Sequence, residues 1–192
     1  MIRALLVAAL LAGAQPALAQ TQAPPPACDT LESPAGQAWA RANAWRYADP
    51  AHAAAIFRDL ADSPTPSSWP DGYPPEATVL PVGTRFQMAV ASGQILPDGS
   101  VHPGGWGTFQ RVDTVEQARN DLAIRSDFKP SVDLVLTFEV TAPLPALVGP
   151  TGPQVEPANC HLLPGGWTQL QILVLPADRM HYLKVIDQRP LQ

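Results

Sequence analysis

The stretch from Val132 to Thr141 constrains the fold more than any other part of this chain. Val132, Leu134, Leu136, Phe138 and Val140 alternate with Asp133, Thr137, Glu139 and Thr141. A period of two over so many positions places apolar side chains on one face of an extended strand and polar ones on the other. The same period begins at Thr84, where Phe86, Met88 and Val90 alternate with Arg85, Gln87 and Ala89. Shorter strands are predicted over residues 107–112, 168–175 and 182–186. The earlier chain reads differently. Ser33-Pro34 and Asp49-Pro50 each set a capping residue before a proline at the first helical position. Ala38, Ala42 and Trp45 follow the first start at helical spacing. Ala53, Ile56, Phe57 and Leu60 follow the second, which Asp62-Ser63-Pro64 ends. A capping box is read at Asp113-Thr114-Val115-Glu116, with Val115, Ala118 and Leu122 on one helical face. Prolines dominate residues 63–83, predicted to be an irregular crossing pinned by Trp69 and Tyr73, and a Pro/Gly loop is read from Pro143 to Pro164. Helices first and strands later predict an α+β fold, a short N-terminal helical arm followed by a mainly antiparallel sheet.

The N-terminus carries a different signal. Arg3 precedes the apolar run Ala4–Ala12, and Ala17-Leu18-Ala19 offers small residues at cleavage spacing. Residues 1–19 therefore read as a secretory signal peptide, the other reading being an uncleaved anchor. Export implies a secreted or periplasmic mature chain with no membrane attachment once the signal is cleaved. Residues 20–32 read as a flexible lead-in, 33–77 as the arm and the Pro-rich crossing, and 78–192 as the main domain. Loss of Arg3 takes the formal net charge from −5 to −6, which argues against nucleic acid held by phosphate contacts. Cys28 and Cys160 are the two cysteines. An oxidising compartment makes a disulfide between them the favoured reading, with two buried thiols as the other. The loop it closes is long enough to stabilise the fold by about 4 kcal/mol. No metal is expected, because no Cys or His pair has ligand spacing.

The candidate chemistry lies on the later strands. Leu170, Ile172 and Val174 face the core side of one strand, so Gln169 and Gln171 face the other, about 7 Å apart. Gly165-Gly166 just before them would let the backbone approach a ligand closely. A neutral amide there orients a ribose hydroxyl or a water but takes no proton; the alternative is an edge strand with two solvated glutamines. Arg85, on the open face of its strand, suits a phosphate through its two-pronged guanidinium, or is an ordinary surface arginine. Arg111, Arg119 and Arg125 are weaker candidates, with Arg119 read as solvated on its helix. Trp106 and Phe109 flank Gly107-Thr108 and either stack on a nicotinamide or adenine ring or anchor the core. No P-loop, G-x-G-x-x-G or Ser-based triad is present.

The order of motifs resembles the tuberculosis-necrotizing-toxin (TNT) domain family. Leu80-Pro81-Val82-Gly83-Thr84-Arg85-Phe86 resembles that family's Leu-Pro-x-Gly-Thr opening. Thr137 to Pro145 resembles its Tyr-x-Val-x-x-Pro-Leu-Pro strand. Gly149-Pro150 and Pro164-Gly165-Gly166-Trp167-Thr168-Gln169 resemble its later Gly/Pro loop and glycine-rich glutamine signature. The likeness runs roughly from residue 78 to 175. It implies an ADP-ribosyltransferase-like twisted sheet and an NAD glycohydrolase, with NAD as substrate and no cofactor. It also implies a toxin or effector role and leaves room for an immunity or inhibitor protein. Gln169 maps onto the family's catalytic glutamine, and Arg85 approximately onto an arginine serving the NAD phosphates. The second arginine has no clear counterpart, and Arg125 is the candidate. Trp167 stands where the family has a third glycine and is expected to narrow the pocket mouth. The other readings are a non-catalytic secreted binding module and an enzyme transferring ADP-ribose; the lack of an E-x-E pair argues against transfer to a protein arginine.

Overall fold

The computed structural model describes residues 27–192; the expected signal peptide and residues 20–26 lie outside the described residues. The arm forms as the caps dictate. Helix α1 (Pro34–Asn43) starts at Ser33, whose hydroxyl accepts the Gly36 N–H at 2.9 Å, and α2 (Pro50–Asp62) starts at Asp49, whose carboxylate accepts the Ala51 N–H at 2.9 Å. The buried face of α2 is the expected one, built on Ala53 and Phe57. That of α1 is not. Ala35 and Trp39 are buried, Ala42 is exposed, and Trp45 is 80% exposed on a 3-10 turn beyond the helix end. Trp39 wins because its large ring meets Phe57 (centroids 5.5 Å apart) and Tyr47 (5.9 Å), so its burial removes more apolar area from water than a stripe of alanines could.

Nine strands follow: β1 (Glu76–Leu80), β2 (Arg85–Val90), β3 (Trp106–Thr108), β4 (Leu134–Val140), β5 (Leu144–Pro150), β6 (Gln154–Glu156), β7 (His161–Leu163), β8 (Thr168–Ile172) and β9 (Leu183–Pro190). Seven form one sheet in the order β1-β5-β8-β3-β2-β4-β9, every neighbouring pair antiparallel, and β6 and β7 form a separate hairpin. The α+β class and antiparallel sheet are as predicted. Two loop expectations are not. The stretch from Pro143 to Pro164 contains β5, β6 and β7, and the later part of the Pro-rich crossing contains β1. Both prolines of these strands lie in β5: Pro145 sits near its start, opposite Val79 of the edge strand β1, and Pro150 ends it, positions where a missing N–H costs least.

The apolar faces of β2, β4, β5 and β8 meet in one core around Phe86, Leu136, Phe138, Leu144 and Leu170. The arm has its own core, in which Trp39 and Phe57 close over Val155 of the β6–β7 hairpin. The expected Cys28–Cys160 disulfide joins these two parts, with Cα atoms 5.1 Å apart. A third small core lies on the polar side of β2 and β4, beneath α3 (Val115–Asn120). Here the capping box is shifted by one residue. Thr114 is the cap, its hydroxyl accepting from Gln117 N, while the Gln117 side chain accepts from Thr114 N. Glu116 is not part of it, and Leu122 falls outside the helix.

Candidate active site

The register of three strands builds the site. Gln87 of β2 lies opposite Thr108 of β3, and Thr108 opposite Gln169 of β8. Residues paired across an antiparallel sheet share a face, so these three stand in a row on the side away from the main core. The two ends of the row, Gln87 and Gln169, line a cavity of about 820 Å³; Thr108 between them does not. One wall is the Pro-rich crossing at Thr65, Pro66 and Ser68; a second is Gly104 to Gly107 with Trp106; a third is the loop from Leu122 to Ser131. Trp106 rests against Trp69 of the crossing, centroids 5.5 Å apart.

The cavity is electrostatically one-sided. None of the side chains lining it is Asp or Glu, although the whole chain is acidic, and two of them are cations, Arg125 and Lys129. Arg125 is 4% exposed. Asp127 takes its Nε at 2.9 Å and its Nη2 at 2.5 Å, and the Phe128 ring lies 4.3 Å from the guanidinium carbon. The hydrogen bond from Arg125 is the main reason the Asp127 carboxyl is held below the usual carboxylate range. Arg125 Nη1 is buried and has no hydrogen-bond partner among the described residues. A buried N–H of a charged group without an acceptor is costly, so this atom is where an anion is best received. Arg125→Lys keeps the charge but loses the fork that serves Asp127 and the cavity together. The expected result is a 10- to 100-fold weaker binding of an anionic ligand, read by calorimetry.

Lys129 donates from Nζ to the Ala89 carbonyl at 2.7 Å. Burial, with repulsion from Arg119 second, holds its pKa below the ordinary lysine value. The folded chain thus binds this proton less tightly than the unfolded chain, so the position gains stability as pH rises from the lowered pKa towards 10.5. Attraction for an anion runs the other way and fades as pH rises through the lowered pKa. Anion affinity should therefore drop on the alkaline side before ordinary lysines titrate, and Lys129→Met should remove that drop in a pH series.

Gln169, Arg125 and Trp106 of the expected site are brought together; Arg85, Gln171 and Phe109 do not line the cavity. Arg85 shares the sheet face but sits at the far end of β2, 67% exposed. There it pairs with Glu139, its direct partner across the β2–β4 ladder, at 2.9 Å. A carboxylate already holding the guanidinium leaves it poorly placed for a distant phosphate. Phe109 lies past the end of β3 and is exposed. Arg119 is half-buried rather than freely solvated: it donates to the carbonyls of Ile124 and Pro130 and so braces the loop that carries Arg125 and Lys129. Trp167 does not narrow the mouth, because it packs into the small core beneath α3. The freedom of Gly165 serves chain packing, since a Cβ there would lie 2.6 Å from the Thr151 carbonyl oxygen and the backbone has φ +68°.

Three contributors escaped the sequence reading: Lys129, Gln154 and the Ser67-Ser68 carbonyls. Gln169 Nε2 donates to Ser68 O at 2.5 Å, and Gln154 Nε2 donates to Ser67 O at 2.7 Å. The crossing can lie this close because Gly152 has no Cβ; one would come within 2.6 Å of the Trp69 backbone. Nothing in the local pattern of residues 63–75 signals this contact, which spans about a hundred residues. Among the described residues no cluster of His, Cys, Asp and Glu could hold a metal, and no helix is long and apolar enough to cross a membrane.

No protein family and no curated protein matches this sequence. Among solved structures the chain is similar to Tne2, determined in complex with Tni2, at 28% identity and a TM-score of 0.55. That likeness covers 64% of this chain and 97% of Tne2. Weaker similarities are to Rhs1-CT in complex with its cognate immunity protein RhsI1 (14% identity, TM-score 0.43, 61% of this chain and 80% of that one) and to Tse6 in complex with Tsi6 (16%, 0.40, 80% and 94%). The mostly antiparallel α+β fold is thus one that this chain shares with Tne2.

Proposed function

We propose that the mature chain is an exported NAD glycohydrolase that cleaves NAD to nicotinamide and ADP-ribose. One observation carries this reading: the Gln169 amide and the Arg125 guanidinium, 44 positions apart by their numbers, line a single cavity of about 820 Å³ that contains no carboxylate. A cavity of that size with convergent polar groups suits a small molecule of nucleotide dimensions. Its two cations suit a pyrophosphate, and Trp106 offers a face for a base.

The chemistry needs little from the protein. The bond between the ribose C1′ and the nicotinamide nitrogen breaks with its electron pair going to nicotinamide, which leaves as a neutral ring. The ribose carries oxocarbenium character until water adds and loses a proton to solvent. Gln169 is neutral and takes no proton. Its work is to hold the ribose or the incoming water in line, a positional and electrostatic effect. Arg125 and Lys129 hold the pyrophosphate. NAD is the substrate, and the scheme calls for no cofactor. In this proposal the sheet is ADP-ribosyltransferase-like and the chain acts outside the cytoplasm of its maker, secreted or periplasmic, as a toxin or effector. The likeness to Tne2, a chain determined with a second protein bound, supports an immunity or inhibitor partner. Transfer of ADP-ribose to a protein arginine is disfavoured by the lack of a carboxylate in the lining.

The test is incubation of the purified mature chain with NAD. Equal amounts of nicotinamide and ADP-ribose are expected. Intact NAD that nonetheless binds would identify a binding module instead, and label carried onto a macromolecule would identify a transferase.

A further inference from the structure

Gln154 is buried at the edge of the same cavity and is not part of the scheme above. It is 4% exposed, on the short strand β6, and lines the cavity. Its Nε2 is satisfied by Ser67 O, but its Oε1 is buried and has no hydrogen-bond partner among the described residues. Arg125 Nη1 is the other such side-chain atom among the described residues. One orphan is an acceptor and the other a donor, and both belong to residues lining one cavity. A buried amide oxygen without a donor is costly to keep, and a ligand group carrying an O–H or N–H would relieve that cost.

The connections of Gln154 place it along the ligand. On one side, Gln154 and Gln169 are held by consecutive carbonyls, Ser67 O and Ser68 O, so the two amides are neighbours. On the other, Glu156 is two residues along β6 and so projects to the same face. Glu156 accepts from Ser126 N and Ser126 Oγ at 2.8 Å each, and Ser126 adjoins Arg125. Gln154 therefore lies between the amide proposed for the bond that breaks and the guanidinium proposed for the phosphates. In a dinucleotide, the group between those points is the ribose on the nicotinamide side, whose hydroxyls are donors.

Resting on the NAD reading of this cavity, we infer that Gln154 is a specificity-determining residue whose amide oxygen accepts a hydrogen bond from a hydroxyl of that ribose. A site built to bond a hydroxyl rejects ligands that lack it, because the acceptor is then left unpaired.

The test uses ADP-ribose, which keeps the pyrophosphate and that ribose and has no nicotinamide bond to cleave, against ADP, which lacks the ribose. Calorimetric titration of the full mature chain gives the ratio of the two affinities, and the same ratio is measured for Gln154→Met. The ratio is expected to fall by about tenfold in the variant, the size of one hydrogen bond. The thermal midpoint should stay within a few degrees, since the substitution removes an orphan acceptor along with the bond to Ser67. Gln154→Glu keeps an acceptor oxygen and should keep the preference for ADP-ribose while weakening both ligands through its charge. If Gln154→Met folds poorly, Gln154→Leu, which likewise lacks an acceptor, takes its place in the comparison. An unchanged ratio in Gln154→Met, or a lost one in Gln154→Glu, overturns the inference. Failure to release nicotinamide with the ratios as expected overturns only the hydrolase reading. No binding of ADP-ribose by the unaltered chain overturns both.

Discussion

Gln169→Ala is expected to lower the rate of nicotinamide release by about 10²- to 10³-fold, the usual effect of deleting one preorganised polar group that acts on a charge-developing transition state. The loss should fall on kcat, with KM for NAD changed much less. In the proposed scheme binding energy comes mainly from the pyrophosphate at Arg125 and Lys129, whereas the amide acts where the bond breaks. The same substitution leaves the Ser68 carbonyl without its 2.5 Å donor, a cost of roughly 1 kcal/mol in stability. Activity and stability must therefore be read together. A variant whose midpoint drops slightly while its kcat collapses supports the catalytic assignment. A variant that keeps most of its kcat removes it, and Gln169 is then a structural tie between β8 and the Pro-rich crossing.

Removing the Cys28–Cys160 cross-link should have the largest effect on stability. The bridge closes a loop spanning 132 positions, and opening such a loop to the unfolded chain's freedom corresponds to about 4–5 kcal/mol. For a chain of this size that is a fall in thermal midpoint on the order of 10 °C for Cys160→Ser, or for the native chain in strong reductant. The loss should begin locally. Cys28 packs with the arm core, where Trp39 and Phe57 close over Val155 and Leu162 of the β6–β7 hairpin, and the cross-link clamps that hairpin to the arm. Hydrogen exchange should therefore quicken in α1, α2, β6 and β7 before it does in β2 and β4, which lie in the main sheet core. Uniform loosening across the sheet would show that the arm and sheet unfold as one unit. Because β6 also carries Gln154, reduction is expected to weaken ligand binding at temperatures where the sheet itself stays folded.

Much of the fold was legible because it depends on near neighbours in sequence. The alternation around Leu134–Val140 reports a strand with one buried face wherever its partners lie, and Ser33-Pro34 and Asp49-Pro50 start helices by satisfying their own first turns. The shifted cap at Thr114 shows the resolution of such signals: two adjacent candidates satisfy the same pattern, and only the hydrogen bonds of Gln117 separate them. Strand β5 was missed because it holds Pro145, Gly149 and Pro150, and β6 and β7 because each is only three residues long, set among the prolines and glycines of the surrounding stretch. Proline, which has no N–H to donate, argues against a strand unless its nitrogen faces away from a partner, and that depends on which neighbour pairs with it.

The site divides the same way. Gln169 could be singled out because period two alone says that it and Leu170 face opposite sides of β8. The sequence by itself determined the class of fold, the two helix starts, the core-facing residues of the main strands and this one glutamine, because each follows from backbone geometry and a residue's immediate neighbours. Which arginine stands beside it was a matter for the tertiary structure. Arg85 is engaged by Glu139 across a strand ladder, while Arg125 and Lys129 are carried over the sheet by a loop that Arg119 and Glu156 brace. The tertiary structure also brought the crossing's carbonyls onto Gln154 and Gln169. Charge pairing and burial act through space between segments tens of residues apart, and no local pattern encodes which of them will meet.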